Sequence, residues 1–132
     1  MRAARAYQSV SQHTAVIGAN PLELVVLLYD KLLERIRQAK ECVKSGDIAG
    51  RGKATGLAIE IIEKGMLGAL DMAQGGEIAI RLKEQYHAWM IQLLRFNMDG
   101  DENILAAVES QIKTVLSGWE AIRKENARPA HV

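Results

Sequence analysis

A single cysteine, Cys42, leaves this 132-residue chain without an internal disulfide framework. It also lacks an excess of either charge. Seventeen Lys and Arg face sixteen Asp and Glu, a net charge of +1, too balanced to draw in nucleic acid or an anionic membrane by a long-range field. Charged residues make up 25% of the composition, and no membrane insertion is expected. Arg2 and Arg5 have no apolar run behind them to act as a signal sequence, which predicts a cytosolic protein. Recognisable chemistry is absent as well. Glu84-Gln85-Tyr86-His87 has the Glu-x-x-His spacing of di-iron bundles, but that site needs the motif twice plus two further inward glutamates. His13 and His131 lie in the terminal stretches, and neither follows a Glu three residues earlier. Gly75-Gly76 is not followed by Lys-Ser/Thr and reads as a turn, while Asp99, Asp101 and Glu102 lack the spacing of a calcium loop. No catalytic residue, metal or cofactor is expected.

What is present is helical periodicity. Asn20 is a favoured N-cap, Pro21 suits the first helical position, and Glu23 stands where a capping box puts its acid. Leu22, Val25, Tyr29, Leu32, Ile36, Ala39 and Val43 then alternate steps of three and four, the seam of a helix packed lengthwise, ending at Ser45-Gly46. A second helix, about 47–72, starts at Asp47 and carries Ile59, Ile62, Met66 and Ala69. It is weakened by Gly50, Gly52, Gly56, Gly65 and Gly68. Gln74-Gly75-Gly76-Glu77 turns the chain into a third helix, about 76–97, with Leu82, Tyr86, Trp89, Leu93 and Phe96 in its seam. Asp101 caps a fourth, about 101–126. Its apolar face is Leu105, Val108, Ile112, Val115, Trp119 and Ile122, and its polar back includes Glu109, Ser110, Lys113, Thr114 and Ser117. Four such segments joined by short turns, with no strand signal, predict an all-α fold, an antiparallel up-down four-helix bundle over 20–126. Residues 1–19 read as a mobile or short-helical arm and 127–132 as a disordered tail.

Apolar residues exceed what one seam per helix uses. With Leu22 at heptad position a, Leu24 falls at c and Leu27 at f, positions that face water. On the third helix Ile80, His87, Ile91 and Leu94 form a second row, interrupted by Lys83 and Glu84. Taking five or six such side chains out of water would gain on the order of 10 kcal/mol gross, the profile of a bundle that binds amphipathic helices. Three alternatives stand beside it: cover of these rows by the N-terminal arm, a homodimer, and a phosphotransfer module using His87. Against the last, Ala88, Trp89 and Met90 follow His87, with no Lys and Gly to shape a phosphoryl site.

Tyr7-Gln8, Ala19-Asn20-Pro21-Leu22-Glu23-Leu24 with Leu28-Tyr29-Asp30, Ser45-Gly46-Asp47, Ile61-Ile62 and Leu70-Asp71 follow one another in order. They continue through Gly75-Gly76-Glu77-Ile78-Ala79, Leu82 and Tyr86 to a final Trp119. In order and spacing this series resembles the flagellar export chaperone family FliS, from Tyr7 to Trp119. It departs at Gly18-Ala19-Asn20-Pro21, where Thr-Ala-Ser-Pro is commoner, and at Gly65 and Gly68. The resemblance implies a bacterial cytosolic chaperone, not an enzyme, that binds the disordered C-terminal segment of flagellin, prevents premature polymerisation and presents the subunit to the type III export apparatus. Export gate components and other flagellar regulators are further implied partners, with the free protein a monomer or weak homodimer. The expected binding residues are Leu24 and Leu27 on one side, and Ile80, His87, Ile91 and Leu94 on another. Tyr7 and Val10 resemble the family's N-terminal segment, which lies over apolar bundle surface and shifts when the client arrives.

Overall fold

The computed structural model describes residues 21–127. Helix α1 spans Pro21–Ser45, α2 spans Ile48–Glu60 and runs on into a π-helical segment, Ile61–Leu67, α3 spans Met72–Asp99 and α4 spans Glu102–Ala127. Each link is short because local chemistry ends one helix and starts the next. At the end of α1 the Asp47 N–H donates to the Cys42 carbonyl at 2.9 Å and the Gly46 N–H to the Val43 carbonyl at 3.2 Å, with Gly46 at φ 74°. This paired pattern satisfies two of the orphan carbonyls and needs a left-handed residue, which glycine supplies without strain. Asp47 then caps α2, its carboxylate accepting from the Gly50 N–H at 2.8 Å, and Asp101 caps α4 by accepting from the Asn103 N–H at 2.9 Å.

Helix α1 packs along α2 and α4, and α3 along α4 and α2, so α1 and α3 lie on one diagonal. Antiparallel neighbours are tied near their ends. Lys40 of α1 reaches Glu109 of α4 at 2.8 Å, and Arg51 of α2 donates to the Asn97 carbonyl of α3 at 3.0 Å. The core is one contiguous cluster. Tyr29, Leu32, Ile36 and Ala39 of α1 meet Ala58, Ile62 and Met66, then Tyr86, Trp89, Leu93 and Phe96 of α3, and Leu105, Val108 and Ile112 of α4. Across the diagonal the Tyr29 and Tyr86 hydroxyls stand 2.8 Å apart, and each of the two rings is tilted against Trp89, at centroid distances of 6.3 and 5.7 Å. Trp89 also donates its indole N–H to Gln111 at 2.9 Å.

Two elements differ from the sequence expectation. The second helix winds its last stretch as π-helix, over Gly65. There Leu28 packs so close that a Cβ on Gly65 would stand 3.0 Å from it, so the backbone itself forms the contact surface. The third helix starts earlier than Gly76, at Met72. Asp71 accepts from the Ala73 and Gln74 N–H groups at 3.1 and 3.0 Å and so starts one extra turn. The break expected at Gly75-Gly76 persists as a kink, with Gly76 at φ 55°, ψ −135°.

The two faces of α3 give the first prediction. Phe96→Ala should lower the unfolding free energy in urea titration by about 3–5 kcal/mol, through a cavity in the core. Leu94→Ala, two residues away on the outer face, should change it by less than about 0.5 kcal/mol. Equal losses would show that the two faces are not segregated as described.

Candidate functional site

Two apolar surfaces remain once the four seams have closed. The first is the outer row of α3. Ile80, Ile91 and Leu94 are 48%, 53% and 56% exposed, and His87 is exposed between them. The structure therefore brings these four expected residues onto one stripe. It extends the stripe by Met98, 82% exposed, which sequence reasoning missed although it continues the same step of four beyond Leu94. The stripe lies on the flank of α3 nearer α2. Asn97, close to it around the helix, meets Arg51 of α2, whereas Gln85 and Trp89 on the other flank meet Gln111 of α4.

On α1 the outcome is divided. Leu27 is 41% exposed on the outer face, as its heptad position predicts. Leu24 is a correction: expected to face water, it is 2% exposed. Helix α1 is gripped from two sides, by α2 with its π segment and by α4, so its buried arc is wider than a single heptad seam. Leu24 lies one turn ahead of Leu28, which packs on Gly65, but it is not part of the contiguous core cluster that the four helices share. Tyr7 and Val10 lie outside the described residues.

The second surface is a groove of about 480 Å³ at one end of the bundle, where α1 and α3 begin and α4 and the π segment end. Leu22 and Val25 of α1, Leu70 of the connection, Ile78 and Leu82 of α3, and Trp119 and Ile122 of α4 supply its apolar walls. Leu22, Val25, Leu82, Trp119 and Ile122 were expected in closed seams. Among the described residues they line the groove rather than a closed seam. Asp71 is the one charged side chain among the described residues that line the groove, and Tyr86, nearly fully buried, forms part of its floor. No sequence signal marks this groove, since it is assembled from four separate stretches.

Among the described residues no three His, Cys, Asp or Glu side chains gather as a metal site, and no helix is long and apolar enough to cross a membrane. Fold and surfaces together define an all-α four-helix bundle with two apolar surfaces open to solvent. The comparisons with known proteins narrow this class. The chain belongs to the flagellar protein FliS family, whose family model matches residues 3–126. It is 37% identical over 122 residues to the flagellar secretion chaperone FliSB of Pseudomonas aeruginosa, covering 92% of this chain and 96% of that protein. It is 33% identical over 118 residues to the flagellar secretion chaperone FliS of Salmonella typhimurium, covering 89% and 87%. With the FliS of Vibrio cholerae it shares 31% over 121 residues, covering 92% and 88%. The family is thus one of chaperones and not an enzyme class.

The buried tyrosine pair sets a pH dependence. Burial, ahead of every other cause, raises the phenol pKa values of both Tyr29 and Tyr86 above the ordinary 10.0. The folded protein holds these protons where the unfolded chain releases them. Their contribution is therefore complete below about pH 10 and is lost as the pH rises beyond it. Urea midpoints followed from neutral to alkaline pH should fall above about pH 10, and the double variant Tyr29→Phe/Tyr86→Phe should fall less steeply. Parallel curves for the two proteins would contradict the burial argument.

Proposed function

We infer that this chain is a flagellar export chaperone that binds the C-terminal segment of flagellin while that segment is unfolded and delivers the subunit to the export apparatus. The observation that carries this reading is the unpartnered apolar stripe of α3 in a chain that matches the FliS family over residues 3–126. A client segment that folds into amphipathic helices on this stripe, on Leu27 and in the end groove would bury side chains now half in water. Each would contribute on the order of 1 kcal/mol, because about half of its area is already covered. Ordering the client consumes part of that gain, which leaves an affinity strong enough to hold the subunit and weak enough to release it for export. His87 sits in the stripe as a polar contact, with Lys83 and Glu84 one turn before it and Ile91 one turn after. The remaining members of the reading, Tyr7 and Val10, enter from the family resemblance as residues that cover apolar surface until the client arrives.

The test is calorimetric titration of the full chain with a peptide from the C-terminal region of the same organism's flagellin. One-to-one binding at micromolar affinity or tighter, with a negative heat-capacity change, is expected. Ile91→Glu should weaken it at least about tenfold, by placing a charge in the stripe while leaving the core intact. Lys113→Glu, on the polar back of α4, should leave it unchanged. Absence of binding by the unaltered protein would overturn the assignment.

A further inference from the structure

Most of the end groove is walled by helices that the core holds in place, through side chains such as Val25, Leu82 and Trp119. One wall is different. It consists of Leu70, Asp71, Gln74 and Gly75, where the connection enters the first turn of α3. Every residue from Met72 to Ile78 is exposed, so this turn has little tertiary packing to hold it. The polar ties found among the described residues are local. Asp71 accepts from the Ala73 and Gln74 N–H groups, the Gly75 N–H donates to the Asp71 carbonyl at 2.7 Å, and Arg81 pairs with Glu77 at 3.0 Å. A single helical turn is unstable by itself, which leaves this wall the least stable part of the groove. Gly76 is where the turn bends. Its φ 55°, ψ −135° mirrors the extended polyproline geometry of L-residues and lies outside the small left-handed region that their side chains tolerate. A Cβ there would meet nothing within 4 Å, so backbone handedness alone calls for the glycine. The bend folds Gly75 onto Ala79. A Cβ on Gly75 would stand 2.6 Å from that of Ala79, against about 5–6 Å between such neighbours in a straight helix.

We propose that the Asp71–Gly76 turn is a hinged wall of the end groove: the bent form narrows the groove, and a straight form of α3, reached by rotation at Gly76, opens it. With Gly76 at helical dihedrals, α3 runs unbroken from Met72 and the contact of Gly75 with Ala79 is released. Leu70, Asp71 and Gln74 then leave the positions in which they line the groove. Asp71 caps the turn in either form, because its partners Ala73 and Gln74 lie on the same side of the hinge. The two forms thus differ by one pair of dihedrals and one close contact, a gap small enough for both to be populated. The chaperone reading enters only through what the hinge admits. A client helix is about 10–12 Å across, and a wall that moves lets it reach the apolar side chains of α1 and α4.

The experiment pushes the hinge in opposite directions with one methyl group. Gly76→D-Ala favours the observed dihedrals and should raise the bent form about two- to fivefold, whereas Gly76→Ala excludes them and should raise the straight form about tenfold or more. Both full chains are assembled by chemical ligation. In the free, unaltered protein, methyl relaxation dispersion should show microsecond-to-millisecond exchange at Leu70, Met72 and Ile78, with Val108 of the core silent. That exchange should weaken in Gly76→D-Ala, and in Gly76→Ala the same methyl resonances should move to the straight form. The association rate of the flagellin C-terminal peptide should fall about two- to fivefold in Gly76→D-Ala and rise in Gly76→Ala, following the open population. Melting temperatures of all three proteins should agree within a few degrees, since the core is untouched. Absence of exchange together with equal association rates for the two variants would overturn the hinge and leave the chaperone reading standing. No peptide binding by the unaltered protein would overturn the chaperone reading, and the methyl exchange of the free protein would still decide the hinge.

Discussion

The contact on which the rest depends is the one across the diagonal, where Tyr29 of α1 and Tyr86 of α3 share a hydrogen bond and both rings pack on Trp89. In a four-helix bundle the adjacent pairs close easily, but the diagonal distance must be filled by large side chains or the core gapes. Three aromatics and Phe96 fill it. They also fix the rotation of α3, because turning that helix to hide Ile91 and Leu94 would expose Trp89 and Phe96, which are larger. The outer stripe is therefore stable exposure: burying it intramolecularly would cost more apolar surface than it recovers.

The end groove has a different origin. Bundles close at their ends through caps and loops, and here the closing elements are irregular. The π segment places Gly65 against Leu28, and Gly76 bends the chain after a first turn started by Asp71. The cleft lies between them and the ends of α1 and α4. Leu22 and Ile122, seam residues by spacing, stay partly in water as a result. An apolar cleft at one end and an apolar stripe on one flank suit a long, flexible client better than a compact one, since a flexible chain can occupy both at once.

How far the sequence revealed this varies with the physics involved. The seams of α1 from Tyr29 to Ala39 and of α3 from Tyr86 to Phe96 were legible because buried side chains recur at steps of three and four whatever the neighbour is. The outer row of α3 was legible for the complementary reason: apolar residues recurring on a second face have no place in the same core. Leu24 was not, because it is buried although it stands outside the seam and outside the contiguous core cluster, and a heptad frame accounts only for the seam. Nothing in Ile61–Leu67 distinguishes a wider helical turn from an ordinary one, although Gly65 marked the place where backbone forms a contact. Trp119 was correctly expected on the apolar face of α4, but its place beside the Tyr29 hydroxyl depends on how α1 and α4 meet. That information is tertiary and has no local signature.

The most direct test of the central claim, that surface left over by the bundle is where the client sits, is methyl-resolved nuclear magnetic resonance of the full chain saturated with flagellin C-terminal peptide. The account predicts large shifts at the methyl groups of Ile80, Ile91 and Leu94 and at those lining the end groove. Val108 and Ile112, in the shared core, should stay in place. Shifts confined to the polar back of α4, or spread evenly through the core, would contradict it.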